Sequence, residues 1–118
     1  MNKFELQDRL IDFTVLVIEM STAIANTRVG NHLSGQIIRS GTSVSLNYAE
    51  AQSAASRKDF IHKMTIVLKE LRETLVCLKI ISKTRLHESN KKMTRVLNEC
   101  NELISIFVKS IETAQNNH

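Results

Sequence analysis

Apolar residues return along this chain at alternating steps of four and three, the spacing that gathers side chains on one face of an α-helix. In the first stretch Leu6, Leu10, Phe13, Val17, Met20 and Ile24 form such a line, with Ile11, Val15, Ile18 and Ala25 running beside it. A helix that is apolar over more than one face is expected to be covered on more than one side. The pattern fades across Asn26-Thr27-Arg28-Val29-Gly30-Asn31, where Gly30 suits a helix C-terminus and Asn31 suits the cap of the next helix. It resumes from His32 with Leu33, Ile37, Val44, Tyr48 and Ala51, among the small residues Ser34, Gly35, Ser40, Gly41, Thr42, Ser43 and Ser45. So many small residues make a weak helix by propensity. Its stability must come from neighbours that approach its backbone closely.

After a break at Ser53-Ala54-Ala55-Ser56, Ser56 and Asp59 resemble a capping box with Asp in place of Glu or Gln. The third stretch has Ile61, Met64, Leu68, Leu71, Leu75 and Leu78 on one stripe, with Phe60, Val67 and Ile81 next to it. Thr84-Arg85-Leu86-His87-Glu88-Ser89-Asn90 reads as a polar turn. Beyond it Met93, Val96, Cys100, Leu103 and Phe107 mark a fourth helix, with Leu97, Ile104 and Ile111 alongside. The tail from Gln115 to His118 is expected to fray. The helices are predicted over about 4–28, 32–53, 57–83 and 90–114. Four helices of similar length joined by short turns prefer antiparallel neighbours, so the reading is an all-α, up-and-down four-helix bundle forming one domain over 1–118. Composition agrees, for the chain has no proline and three glycines, and aromatic residues make up 4%.

Apolar residues make up 42% of the chain, enough for a core, but no run approaches the roughly 20 residues that a membrane span needs. Glu5 falls where a signal peptide would have its apolar segment. The expectation is a soluble cytoplasmic protein with no membrane partner. Cys77 and Cys100 lie within apolar stripes and outside any Cys-x-x-Cys pair, which marks them as reduced core residues.

Two polar stripes depart from the core pattern. On the second helix Gln36, Ser40, Ser43, Asn47 and Glu50 follow one another at steps of four and three, with Arg39 on the flank. Such a line needs hydrogen-bond partners across a helix or subunit interface, with Arg39 paired to a carboxylate such as Glu50, Glu70 or Glu73. These residues are candidates for fixing helix register or a subunit contact. On the third helix Lys58, His62, Thr65, Lys69, Arg72, Val76, Lys79 and Lys83 form a line that no acid interrupts. Arg85, Lys91, Lys92 and Arg95 extend it through the turn and into the fourth helix. Residues 28–95 carry thirteen bases against five acids, while both ends of the chain are net acidic and the whole is +4. Charge concentrated in this way suits a phosphate backbone, because each Lys or Arg placed against it releases condensed counterions.

Signals for catalysis are weak. His32, His62, His87 and His118 are far apart, and no His-Glu-x-x-His motif or Gly-x-x-x-x-Gly-Lys loop occurs. Ser40-Gly41-Thr42-Ser43 falls inside a helix, where a nucleophile elbow does not form. Glu70 and Glu73 lack the Glu-x-x-His spacing of bundle metal sites. No catalytic residue, metal site or cofactor is expected.

The runs Gln36-Ile37-Ile38-Arg39-Ser40-Gly41-Thr42-Ser43-Val44-Ser45-Leu46-Asn47-Tyr48-Ala49-Glu50, Ser56-Arg57-Lys58-Asp59-Phe60-Ile61 and Leu68-Lys69-Glu70-Leu71-Arg72-Glu73-Thr74 resemble the four-helix bundle proteins encoded within intervening sequences of bacterial 23S ribosomal RNA. The likeness covers the second and third helices specifically and the whole chain in length and helix pattern. It implies a small bundle that assembles into a homopentamer. It also implies an architectural relation to accessory proteins of diversity-generating retroelements, which are basic and bind nucleic acid. Tyr48 and Ala51 depart from the family pattern, where a smaller aliphatic residue and a glycine are frequent. The functional expectation is therefore a non-enzymatic, oligomeric bundle that associates with RNA or DNA through the ridge on its third helix. The alternative is a protein–protein interaction scaffold with no nucleic-acid role, whose ridge is only a solvated face.

Overall fold

The computed structural model describes residues 1–117, which form four helices, α1 (Lys3–Thr22), α2 (Arg28–Ala51), α3 (Arg57–Lys83) and α4 (Asn90–Asn116). Among these residues there is no strand, and one isolated antiparallel bridge joins Ile24 to His87. Each helix packs against its neighbour in sequence, and α1 closes on α4, so α1 and α3 occupy diagonal corners of a four-helix bundle. The molecule is an elongated rod of 49 × 22 × 20 Å. Among the described residues no helix is long and apolar enough to cross a membrane.

The boundary between α1 and α2 differs from the sequence expectation. The first helix stops at Thr22, and the second begins at Arg28 rather than His32. Thr27, in an extended conformation, accepts the Gly30 N–H through its side chain at 3.0 Å and so caps α2 four residues ahead of Asn31. Gly30 is thus in the first turn of α2 and is not a C-terminal cap. A Cβ there would lie 2.1 Å from the Ala25 carbonyl oxygen, so the chain can turn this tightly only at a glycine. At the far end α4 runs to Asn116; of the tail expected to fray, His118 lies outside the described residues. Ser56 caps α3 by accepting the Asp59 N–H at 3.1 Å, while Asp59 reaches back to the Ala55 N–H.

On α1 the fully buried line is Leu6, Leu10, Phe13, Val17 and Met20, continued by Ile24. On α3 the core face is rotated from the stripe expected. Met64, Val67, Leu71, Thr74, Leu78 and Ile81 are buried, while Ile61, Leu68 and Leu75 are half-buried and pack at its edge. The rotation follows from the neighbours, since α3 is held on two sides, by α2 and α4. Tyr48 of α2 meets Phe107 of α4 edge-on across the core at 5.6 Å between ring centroids, a favoured aromatic geometry. Cys100 is buried, with its thiol 3.3 Å from the Leu71 carbonyl, and burial pushes its pKa up to about 12. Cys77 is half-buried and also free.

The small residues of α2 let α1 approach. A Cβ on Gly41 would meet Val17 at 2.8 Å. Thr14 Oγ1 lies 2.8 Å from the Gly41 carbonyl oxygen and 2.6 Å from Ser45 Oγ. At the end of the bundle where the α1–α2 and α3–α4 turns meet, Ala25 N–H donates to the Leu86 carbonyl at 2.8 Å. The α3–α4 turn is therefore not simply polar. His87 is buried, and its Nδ1 accepts the Ser89 N–H at 3.1 Å while Nε2 meets no partner among the described residues.

Candidate nucleic-acid interface

An unbroken helix of 27 residues without glycine or proline carries the candidate surface. The inner face of α3 is anchored by Met64, Leu71 and Leu78, which fixes the opposite face outward. Lys58, His62, Thr65, Lys69, Arg72, Val76, Lys79 and Lys83 are all exposed on it. None of these bases makes an ion pair among the described residues, whereas Arg9 of α1, Arg39 of α2 and Lys63 on the flank of α3 are all paired. Lys63, one position off the ridge, is turned to the α2 side by Glu50 at 2.9 Å.

The bases beyond α3 divide into two groups. Arg85 follows the helix directly and takes a left-handed conformation (φ 56°), rare for a residue with a side chain. Lys91 is exposed in the first turn of α4, a turn with no acid, so the helix dipole opposes rather than favours its charge. Lys92 and Arg95, in contrast, line a small groove with Glu19 of α1. Arg95 also borders the α1–α4 groove, away from the ridge.

That α1–α4 groove is the acidic counterpart of the ridge. It is an open cleft of about 630 Å3, with Glu5, Asp8, Asp12, Glu99 and Glu102 on its walls. Arg9 grips Glu99 with two hydrogen bonds, at 2.9 and 2.7 Å, and reaches Glu102 at 2.7 Å. The Arg9 guanidinium holds the Glu99 carboxyl below the usual carboxylate range. Among the described residues, no group of three His, Cys, Asp or Glu side chains is placed to hold a metal ion.

The polar line of α2 is resolved at the α2–α3 seam. Ser40 and Thr74 are both fully buried, and Thr74 Oγ1 lies 2.7 Å from Ser40 Oγ and 2.8 Å from the Glu70 carbonyl oxygen. Arg39 bonds Glu73, and Glu70 at 3.3 Å. Burial, with Glu73 alongside, raises the Glu70 pKa, while the Arg39 guanidinium lowers that of Glu73. Asn47 turns back on its own helix, donating to the Ser43 carbonyl at 2.9 Å with Ser43 Oγ at 2.8 Å. Gln36 is half-buried and Glu50 exposed. Thr74, Thr14, the Arg9 clamp and His87 escaped the sequence reading. Thr74 had a signal, its position three after Leu71 and four before Leu78. Arg9 and Glu99 had none, since nothing local links residues ninety positions apart.

A second surface lies on the opposite corner. Ile11, Val15 and Ile18, at 44, 46 and 41% exposure, run along the outer side of α1. Ile38 and Leu46 are exposed on the outside of the neighbouring α2. The stripe that the sequence expects to be covered is therefore bare in the single chain.

The family model for the 23S rRNA-intervening sequence protein matches residues 2–109. A crystal structure from Bacteroides thetaiotaomicron, described as a protein with unknown function from the S23 ribosomal protein family, is 30% identical and superposes with a TM-score of 0.85. The match covers 95% of this chain and 99% of that one. No curated protein matches the chain.

Proposed function

The chain belongs to the family of 23S rRNA-intervening sequence proteins, and from that premise we propose that it is a non-enzymatic, self-associating bundle that holds nucleic acid, RNA or DNA, on the outer face of α3. The proposed setting is the cytoplasm. The observation that carries the reading is the contrast in pairing. Arg9, Arg39 and Lys63, which lean on neighbouring helices, are neutralised by carboxylates there, but the bases on the outward line of α3 have none among the described residues. Lysine and arginine left open on one straight edge keep their full attraction for phosphates, and binding would draw its free energy largely from released counterions.

Self-association rests on the bare apolar face of α1 and α2. An exposed apolar stripe of this kind is a common mark of a protein contact, and the family resemblance supports a homopentamer as the proposed closed assembly. The two roles are compatible, because α1 and α3 stand at diagonal corners. An assembly that covers α1 leaves the α3 ridges open, and several ridges on one particle bind a long nucleic acid with avidity.

Gel-shift measurements with structured RNA and duplex DNA at low and high salt test the first role. Binding that weakens steeply with salt is expected. No binding at low salt removes the nucleic-acid role and leaves the protein scaffold. Light scattering tests the second, and a monodisperse monomer at micromolar concentration removes it.

A further inference from the structure

The ridge is not evenly charged, and its spacing bears on which form of nucleic acid it fits. Its side chains fall into three pairs, Lys58 with His62, Lys69 with Arg72, and Lys79 with Lys83. Exposed uncharged residues, Thr65 and Val76, fill the gaps. At 1.5 Å per residue the pair centres are about 16 Å apart and the ridge is about 38 Å long. A single strand tracked along a helix presents a phosphate at every nucleotide, and proteins that hold single strands add aromatic platforms on which bases stack. The outer face of α3 has no exposed Phe, Tyr or Trp, since Phe60 is half-buried against the core, and His62 is its single ring.

A duplex presents a different target. Two backbones wind around it, so a straight edge laid parallel to the axis meets a backbone twice per turn. With a turn of about 35 Å in B-form DNA, successive crossings average about 17 Å apart. The unequal grooves displace individual crossings by a few ångströms, within the reach of lysine and arginine side chains. From this match, and resting on the nucleic-acid reading above, we infer that the ligand of the ridge is a double helix lying along α3, with each pair set on one backbone crossing. Recognition of this kind reads shape and phosphate spacing, not base sequence. The gaps at Thr65 and Val76 then face the grooves, where a cation has no phosphate to meet.

Fluorescence anisotropy with the full chain separates this from the broader reading. The probes are a 16-base-pair RNA duplex, the DNA duplex of the same sequence, each of their strands chosen not to self-pair, and an 8-base-pair duplex. The 8-base-pair probe is about 27 Å long at 3.4 Å per base pair, too short to meet all three pairs. Both strands are expected to bind at least tenfold more weakly than a duplex they form. The short duplex is expected to bind at least fivefold more weakly than the long one after correction for the number of binding registers. A preference for RNA or for DNA duplex supports the inference and identifies the source. If the strands bind as tightly as the duplexes, the inference fails while the nucleic-acid reading stands. If nothing binds at 50 mM salt, both fail.

Discussion

The outer faces of α1 and α3 are built from the same kind of helix and stand at opposite corners, yet they are finished in opposite ways. On α3 the outward line is cationic and carries Val76 and Ile80 as its exposed large apolar residues; on α1 it is apolar, with Ile11, Val15 and Ile18 open. Arg9 of α1 is taken up in an internal clamp with Glu99 and Glu102, while the bases of the α3 ridge are left unpaired among the described residues. The difference teaches that the core pattern alone does not assign the surface. An apolar outer face gains only by direct contact, at about 25 cal/mol per Å2 covered, whereas an unpaired cationic one acts over roughly a Debye length, about 8 to 10 Å at ordinary salt.

The largest effect separates the two sides of α3 itself. Leu71 is fully buried at the centre of its inner face. Leu71→Ala is expected to cost about 2 to 5 kcal/mol of stability by leaving a cavity, measured by denaturant unfolding. A loss within about 0.5 kcal/mol, the range of surface sites, would mean that the inner and outer faces have been confused.

Next, the outer face of α3 is reversed in charge by Lys69→Glu with Arg72→Glu and Lys79→Glu. Nucleic-acid affinity should fall by at least about 100-fold, or roughly 2.7 kcal/mol, with helix content and assembly unchanged. Retained affinity would make the ridge a solvated face and erase the functional contrast between the corners. On α1, Val15→Glu with Ile18→Glu should convert the assembly to monomers by light scattering. Because both sites are exposed, monomer stability should shift by no more than about 0.5 kcal/mol per site. An unchanged particle size would show that the apolar corner is not the contact.

The smallest effect is on pH. Arg9 lowers the Glu99 pKa, so the stability this clamp contributes is present above the ordinary carboxylate range and is lost as pH falls through the lowered value. Burial raises the Glu70 pKa, which acts in the opposite sense and offsets part of that loss. Thermal unfolding of the parent and Glu99→Gln should show a gap at pH 7 that narrows as pH falls below the ordinary carboxylate range. A gap that persists in acid would show that the clamp does not moor α1 to α4.

Much of the fold was legible because it depends on short-range periodicity. The lines through Leu10 and Phe13, and through Cys100 and Leu103, fix which side of α1 and α4 turns inward whatever the neighbours do. The rotation of the α3 face was less legible, because Leu68 and Val67 are equally apolar and only the positions of α2 and α4 decide between them. The end of α1 was misplaced because Gly30 suits either a helix end or a close approach, and only the Ala25 carbonyl settles which. Of the candidate site, exposure of the ridge followed from charge and spacing. The placement of Lys92 and Arg95 beside a groove shared with Glu19 did not, because that depends on where α1 lies.

The order of contacts around the bundle also bears on how the chain reaches this state. Three of the four seams join helices that follow one another directly, so each can form as soon as the second helix of its pair exists. Only the α1–α4 seam, with its Arg9 clamp, joins the two ends. Loop-closure entropy therefore weighs on a single late step, and a bundle held mainly by seams between successive helices has the local topology that favours fast folding. During synthesis α1, α2 and α3 can assemble on the ribosome in turn. The apolar edges left waiting for α4 stay open until the last helix emerges, which makes that interval the one in which the nascent chain is most exposed to aggregation.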